Sequence, residues 1–142
     1  LQKKIIEDFL PRFGYGAEVL YVGDTADKFL FIDKGRLKKL KFFEIAHGEL
    51  PDVLAYSKKK NWLYLIEAVY SSGPISPVRM IELQKLTKDC SADLIFVTAF
   101  LDRSTFRKFS SDIAWESEVW VADNPDHLVH FNGSKFFGPY LK

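Results

Sequence analysis

Two carboxylates stand where burial is unfavourable. Glu67 lies in Trp62-Leu-Tyr-Leu-Ile-Glu-Ala-Val-Tyr70, the most apolar stretch of the chain. With strand periodicity, Leu63, Leu65, Glu67 and Val69 share one face, and Trp62, Tyr64, Ile66 and Ala68 share the other. An ionised carboxylate in such a strand needs an arginine, water at an open strand end, or a metal. Asp52 follows Pro51 at the head of the preceding segment, with 14 residues between it and Glu67. If 52–57 and 62–70 pair through the polar turn Ser57-Lys-Lys-Lys-Asn61, both acids reach the open end of one hairpin. Two anions that close repel unless a cation lies between them. Oxygen-only ligands select Mg²⁺, or alternatively Mn²⁺. Such an ion activates water and neutralises charge developing on a phosphate. A Pro-Asp pair alone is a weak signal, since Pro125-Asp126 is a second one. The hairpin gives the first its weight.

The elements around this hairpin read as follows. Residues 1–12 form the end of a helix with an Ile5, Ile6, Phe9, Leu10 stripe, stopped by Pro11. Ala17 to Val22 and Phe29 to Ile32 are strands about a Gly23-Asp24 turn. Residues 34–45 form a short basic helix, and Gly48 to Pro51 break the pattern. After the hairpin, Ser71 to Pro77 form a loop. Ser76 caps a helix that has Pro77 as its first residue and runs to about Lys88. Ala92 to Phe100 are a buried strand, 103–114 a helix, and Glu116 to Ala122 and Leu128 to Phe131 two further strands. The fold class is α/β, a mixed sheet with flanking helices. The crossover after the hairpin is right-handed by rule.

A length of 142 residues fits a single domain over 1–142, and 47% apolar with 27% charged residues excludes a disordered chain. No apolar run is long enough to cross a membrane. The lone Cys90 excludes an internal disulfide and a cysteine-rich zinc site, and it fits a reducing cytoplasm. The chain begins with Leu1 and reads as a piece of a longer protein. A net charge of +1 gives no global field for nucleic acid. Local charge is a different matter, because phosphate contact depends on placement. Residues 34–41 carry five basic residues and no acid; Lys58, Lys59 and Lys60 form a second cluster; Arg103, Arg107 and Lys108 form a third. Each is a solvated surface or a phosphate contact. Lys58, Lys59, Arg103 and Arg107 are the candidates for DNA.

The helix–strand order with acids at Pro51-Asp52 and Glu67 resembles the catalytic core of the PD-(D/E)xK nucleases. Leu50-Pro-Asp-Val53, Ile66-Glu-Ala-Val69, Ser71-Ser-Gly-Pro74, Ala114-Trp-Glu-Ser-Glu-Val-Trp-Val-Ala-Asp123, His130-Phe-Asn-Gly133 and Gly138-Pro139 narrow it. Together they are similar to the BsuBI/PstI family of type II restriction endonucleases over most of residues 15–140. The resemblance implies a C-terminal nuclease domain that lacks an N-terminal recognition part. It implies Mg²⁺-dependent cleavage of double-stranded DNA at a short palindromic site by a homodimer, leaving a 5′-phosphate and a 3′-hydroxyl. Asp52 and Glu67 would hold the metal with the Ala68 carbonyl.

One position departs from the pattern. The superfamily lysine two residues after the second acid is here Val69. Lys85, in the stripe Arg79, Glu82, Lys85, is the candidate replacement, against an ordinary solvated stripe of ion pairs. Glu82, Arg79 and Glu49 are candidate auxiliary residues. The alternative is a module of the same fold that binds DNA or dimerises and has lost its chemistry. Asp126, His127 and His130 do not suit zinc on a strand, and no P-loop or nucleophile elbow is present.

Overall fold

The computed structural model describes residues 1–23, 29–41, 50–70, 73–131 and 133. Seven strands form one sheet in the order β2-β1-β3-β4-β5-β6-β7. They are β1 (Glu18–Gly23), β2 (Phe29–Ile32), β3 (Val53–Ser57), β4 (Trp62–Ala68), β5 (Asp93–Phe100), β6 (Ser117–Val121) and β7 (Leu128–Phe131). β4, β5 and β6 run parallel, and the other neighbours are antiparallel. The helices are α1 (Gln2–Lys4), α2 (Leu10–Phe13), α3 (Lys34–Lys39), α4 (Pro77–Leu86) and α5 (Arg103–Phe109). The mixed sheet with flanking helices is the expected class.

The pleat sorts β4 between two cores. Tyr64, Ile66 and Ala68 pack with Ile5, Phe9, Leu10 and Trp120 on one side. Leu63 and Leu65 pack with Leu37, Leu40, Ile75, Met80 and Leu83 on the other. Val69 joins Phe100, Ile113, Val119 and Val121 beneath Phe106 and Phe109 of α5. The N-terminal helical run therefore covers one face, and α3, α4 and α5 cover the other. Met80 and Leu83 hold α4 to the sheet, at about 1.5–3 kcal/mol for each buried side chain. Its start follows from Pro77 at the first position and from Ser76, whose hydroxyl accepts the Arg79 N–H at 3.2 Å.

The β3–β4 hairpin forms as read, with Val53 opposite Ile66 and Ser57 opposite Trp62. Its turn closes through Asn61 at φ 57, a left-handed conformation that asparagine tolerates, and the Ser57 hydroxyl accepts the Lys60 N–H. The N-terminal helix corrects the expectation for Pro11. Pro11 lies inside the helical run, which ends at Gly14. A π turn over Ile5–Phe9 precedes it, with the Leu10 N–H bonded to the Ile5 carbonyl five residues back. That register change accommodates the proline, and the Arg12 guanidinium satisfies the Asp8 carbonyl at 2.8 Å. The basic helix is seen over Lys34–Lys39. Residues 42–49, including His47 and Glu49, lie outside the described residues, as do Ser71, Ser72, Asn132 and 134–142. The helix expected over 103–114 is α5 followed by a 3₁₀ turn at Ser110–Asp112.

Candidate active site

Asp52 is fixed from two sides at the head of β3. Its backbone carbonyl accepts the Gly23 N–H from β1 at 2.9 Å, and its carboxylate Oδ2 accepts the Ala68 N–H from β4 at 2.7 Å. Gly23 is held in turn by Gln2, whose amide donates to the Gly23 carbonyl at 2.6 Å. The bond to Ala68 puts the Asp52 carboxylate beside the residue that follows Glu67. The hairpin thus brings both acids to one end of the sheet, where parallel β4 finishes.

Glu67 is 9% exposed and paired. Arg79, two residues into α4, donates to its Oε1 through Nη2 at 2.7 Å and Nε at 3.0 Å. Burial pushes the Glu67 carboxyl above its ordinary value, Arg79 pulls it down, and Asp52 and Glu82 push it up. Burial likewise raises Asp52, which the Ala68 N–H and Arg79 offset in part. One guanidinium therefore acts electrostatically on both acids, and Glu82 belongs to the same group.

Lys85 is placed differently. It is exposed and lies six residues beyond Arg79, roughly 9 Å along a helix that leads away from this end of the sheet. Val69 cannot be replaced by a cation without cost, because it is buried at 3% exposure against Phe100 and Val119. Lys58 and Lys59 occupy the opposite end of the hairpin, separated from Asp52 by the length of β3, roughly 16 Å. Arg103 and Arg107 lie on α5, which starts from the same sheet end as the acids.

One contributor escaped the sequence reading. Thr98 is fully buried opposite Glu67 in the parallel register, and its hydroxyl accepts the Ile75 N–H at 3.1 Å. That bond fixes the segment from which α4 starts, and so where Arg79 stands. A lone threonine within Asp93–Phe100 was the available signal.

The donor set suits a hard divalent cation. Both acids offer oxygen alone. The Arg79 bonds converge on Oε1 and the Ala68 bond on Oδ2, so each carboxylate keeps a second oxygen outside these bonds. Among the described residues there is no group of three or more His, Cys, Asp or Glu placed to hold a metal.

The family model of the BsuBI/PstI restriction endonuclease domain matches residues 1–134. The chain belongs to this family. It is 46% identical over 140 residues to the type II restriction enzyme BsuBI of Bacillus subtilis, covering 99% of this chain and 44% of that protein. It is 30% identical over 144 residues to the type II restriction enzyme AplI of Arthrospira platensis, covering 96% of this chain and 44% of that one. Its structure is similar to that of the SdaI restriction endonuclease, with a TM-score of 0.88 at 44% identity, covering 99% of this chain and 44% of that chain. The chain thus spans less than half the length of these relatives. The mixed sheet is the restriction endonuclease fold, and the family resemblance read from the motifs holds. No helix among the described residues is long and apolar enough to cross a membrane.

Proposed function

We propose that this chain is the catalytic domain, of PD-(D/E)xK type, of a Mg²⁺-dependent type II restriction endonuclease. It hydrolyses phosphodiester bonds of double-stranded DNA at a short palindromic site. The observation that carries this reading is the convergence of Asp52 and Glu67 at one end of a restriction endonuclease sheet. Asp52 and Glu67 would hold the metal, with the Ala68 carbonyl at the same strand end. What a divalent cation supplies when bound is activation of water and neutralisation of charge developing on the phosphate.

The chain's own residues do the rest. The Ala68 N–H and the Gly23 N–H hold Asp52 in place before any ligand arrives. Arg79 holds Glu67 through Oε1 and keeps a permanent positive charge beside both acids, the part that the lysine absent at Val69 plays in the resembled pattern. It takes that place in preference to Lys85, which α4 carries away. A palindromic target read by a twofold homodimer of the full-length protein, in the cytoplasm, completes the reading.

The Glu67–Arg79 pair also favours a second reading, in which the acids are structural and the fold serves only to bind DNA. Calorimetry with Mg²⁺ and Mn²⁺ separates the two. Metal binding by the wild type that vanishes in a folded Asp52→Ala variant, with loss of duplex cleavage by the full-length protein, supports the nuclease. Equal binding by Asp52→Ala refutes the assigned site. Neither binding nor cleavage by the full-length wild type leaves the lapsed module.

A further inference from the structure

The chain has five arginines. Three are ion-paired within it: Arg12 with Asp8 and Asp126, Arg36 with Asp33 and Glu18, and Arg79 with Glu67. Arg103 and Arg107 have no ion pair among the described residues, and both are exposed. They stand one turn apart on α5 and line the same cavity, of about 480 Å³, together with Ser104, Phe106 and Ser110. Two guanidiniums at i and i+4 repel each other by a few tenths of a kcal/mol. α5 carries no acid to relieve them, and Asp102 is engaged by the Thr105 N–H and hydroxyl. Among the described residues no acid pairs with either guanidinium, so both charges are open to an anion.

The place of the cavity identifies the anion. β5 lies beside β4, with Thr98 opposite Glu67, and its C-terminal end leads directly into α5. The first turn of α5 therefore leaves the same sheet end as Glu67, from the strand next to β4, and Arg103 lies toward β6 and β7. Arg103 also borders a smaller cavity of about 160 Å³, with Asn124 and His127 past the end of β6. Cationic and hydrogen-bonding groups thus continue in a row along the sheet end that begins at Asp52 and Glu67. The turn that presents Asn124 and His127 is held from the other face of the sheet. Arg12 pairs with Asp126 at 2.6 Å, and the Trp120 indole donates to the Pro125 carbonyl at 3.0 Å.

We propose that the outer face of α5 binds the DNA backbone next to the scissile phosphate. Arg103 and Arg107 supply the charge. These residues carry position and affinity, not base sequence. The inference rests on the nuclease reading and adds to it the path of the cleaved strand. It also excludes Lys58 and Lys59 from that path, since they lie at the far end of the hairpin.

The test is the salt dependence of duplex binding by this chain, measured by anisotropy on a labelled duplex of about 20 base pairs with chelator present to prevent cleavage. Every phosphate that is no longer neutralised lowers the slope of log affinity against log salt by about 0.9. The Arg103→Gln/Arg107→Gln variant keeps the fold, checked by its thermal melt, and its slope falls by about 1.8. Lys58→Gln/Lys59→Gln keeps the wild-type slope. A wild-type slope in the arginine variant overturns the α5 track while leaving the nuclease reading standing. A fall in slope for the lysine variant as large as that for the arginine variant overturns the assigned path. Absence of duplex binding by the wild-type chain overturns the α5 track, while the nuclease reading stands or falls on cleavage by the full-length protein.

Discussion

Removing Arg79 exposes what the site costs. In Arg79→Ala, Glu67 loses both guanidinium bonds, at 2.7 and 3.0 Å, while remaining nearly buried beside Asp52 and Glu82. Breaking a fully buried pair costs about 3–5 kcal/mol. The Arg79 side chain keeps 21% of its exposure, so water screens part of the loss, and charge-assisted hydrogen bonds of about 1.5–3 kcal/mol are the better guide. We expect a loss of about 2 kcal/mol at pH 8, a shift in melting temperature of roughly 4–8 °C for a domain of this size. The loss is pH-dependent, and its sign follows from proton binding. The folded-state pKa of Glu67 is raised above its ordinary value by burial, so the native state binds the proton more tightly than the unfolded chain. Stability therefore falls as pH rises from the ordinary carboxylate range through the raised value. Without Arg79 the pKa rises further and the fall is steeper. Urea unfolding of both proteins between pH 5 and 8 should show curves that diverge with rising pH. A difference below about 0.5 kcal/mol at pH 8, or one that grows on acidification, would falsify the claim that Arg79 neutralises Glu67.

Three further outcomes follow from the same geometry. Val69→Lys, which restores the usual superfamily spacing, should destabilise the fold by more than about 2 kcal/mol in urea unfolding, because it buries an ammonium among Phe100, Ile113 and Val119; a neutral result would mean that position 69 opens to the site. Thr98→Val should cost about 1–3 kcal/mol through the orphaned Ile75 N–H, and it should weaken the coupling of Arg79 to Glu67 in a double-mutant cycle; an unchanged coupling energy would free α4 from Thr98. Lys85→Ala should leave both stability and the cleavage rate of the full-length protein within about twofold of wild type, since an exposed surface substitution changes stability by at most about 0.5 kcal/mol; a large loss of rate would return Lys85 to the site in place of Arg79.

How far the sequence carried the site depends on which interactions are local. Asp52 and Glu67 were legible because a hairpin is a local object. Turn residues set its register, the pleat sets its faces, and the acids then meet at its open end. The same holds for the start of α4, where Ser76 and Pro77 declare themselves within two residues. The sheet order was not legible, because β1 pairs with β3 across a long stretch of sequence, a contact that leaves no periodic trace. Pro11 misled for a related reason. A proline reads as a helix end only when the hydrogen-bond register before it is ordinary, and the π turn at Ile5–Phe9 makes it otherwise.

The choice between Lys85 and Arg79 shows most clearly what spacing cannot settle. Both lie in one stripe at i, i+3 intervals, and by sequence either could face Glu67. The choice is made by the direction of α4, and that is set from outside the helix. Thr98 fixes Ile75, Ser76 caps the first turn, and Met80 and Leu83 press the helix onto the sheet. The first turn, with Arg79, is thereby held over the end of β4, and every later residue recedes at about 1.5 Å per step. Under the nuclease reading, the cation absent from the strand at Val69 is supplied, among the described residues of α4, from its N-terminal turn. A strand valine that completes the core under α5 and a helix arginine that reaches back to Glu67 are two halves of one arrangement. On the proposed nuclease reading, core packing at Val69 and site charge at Arg79 are met by different elements.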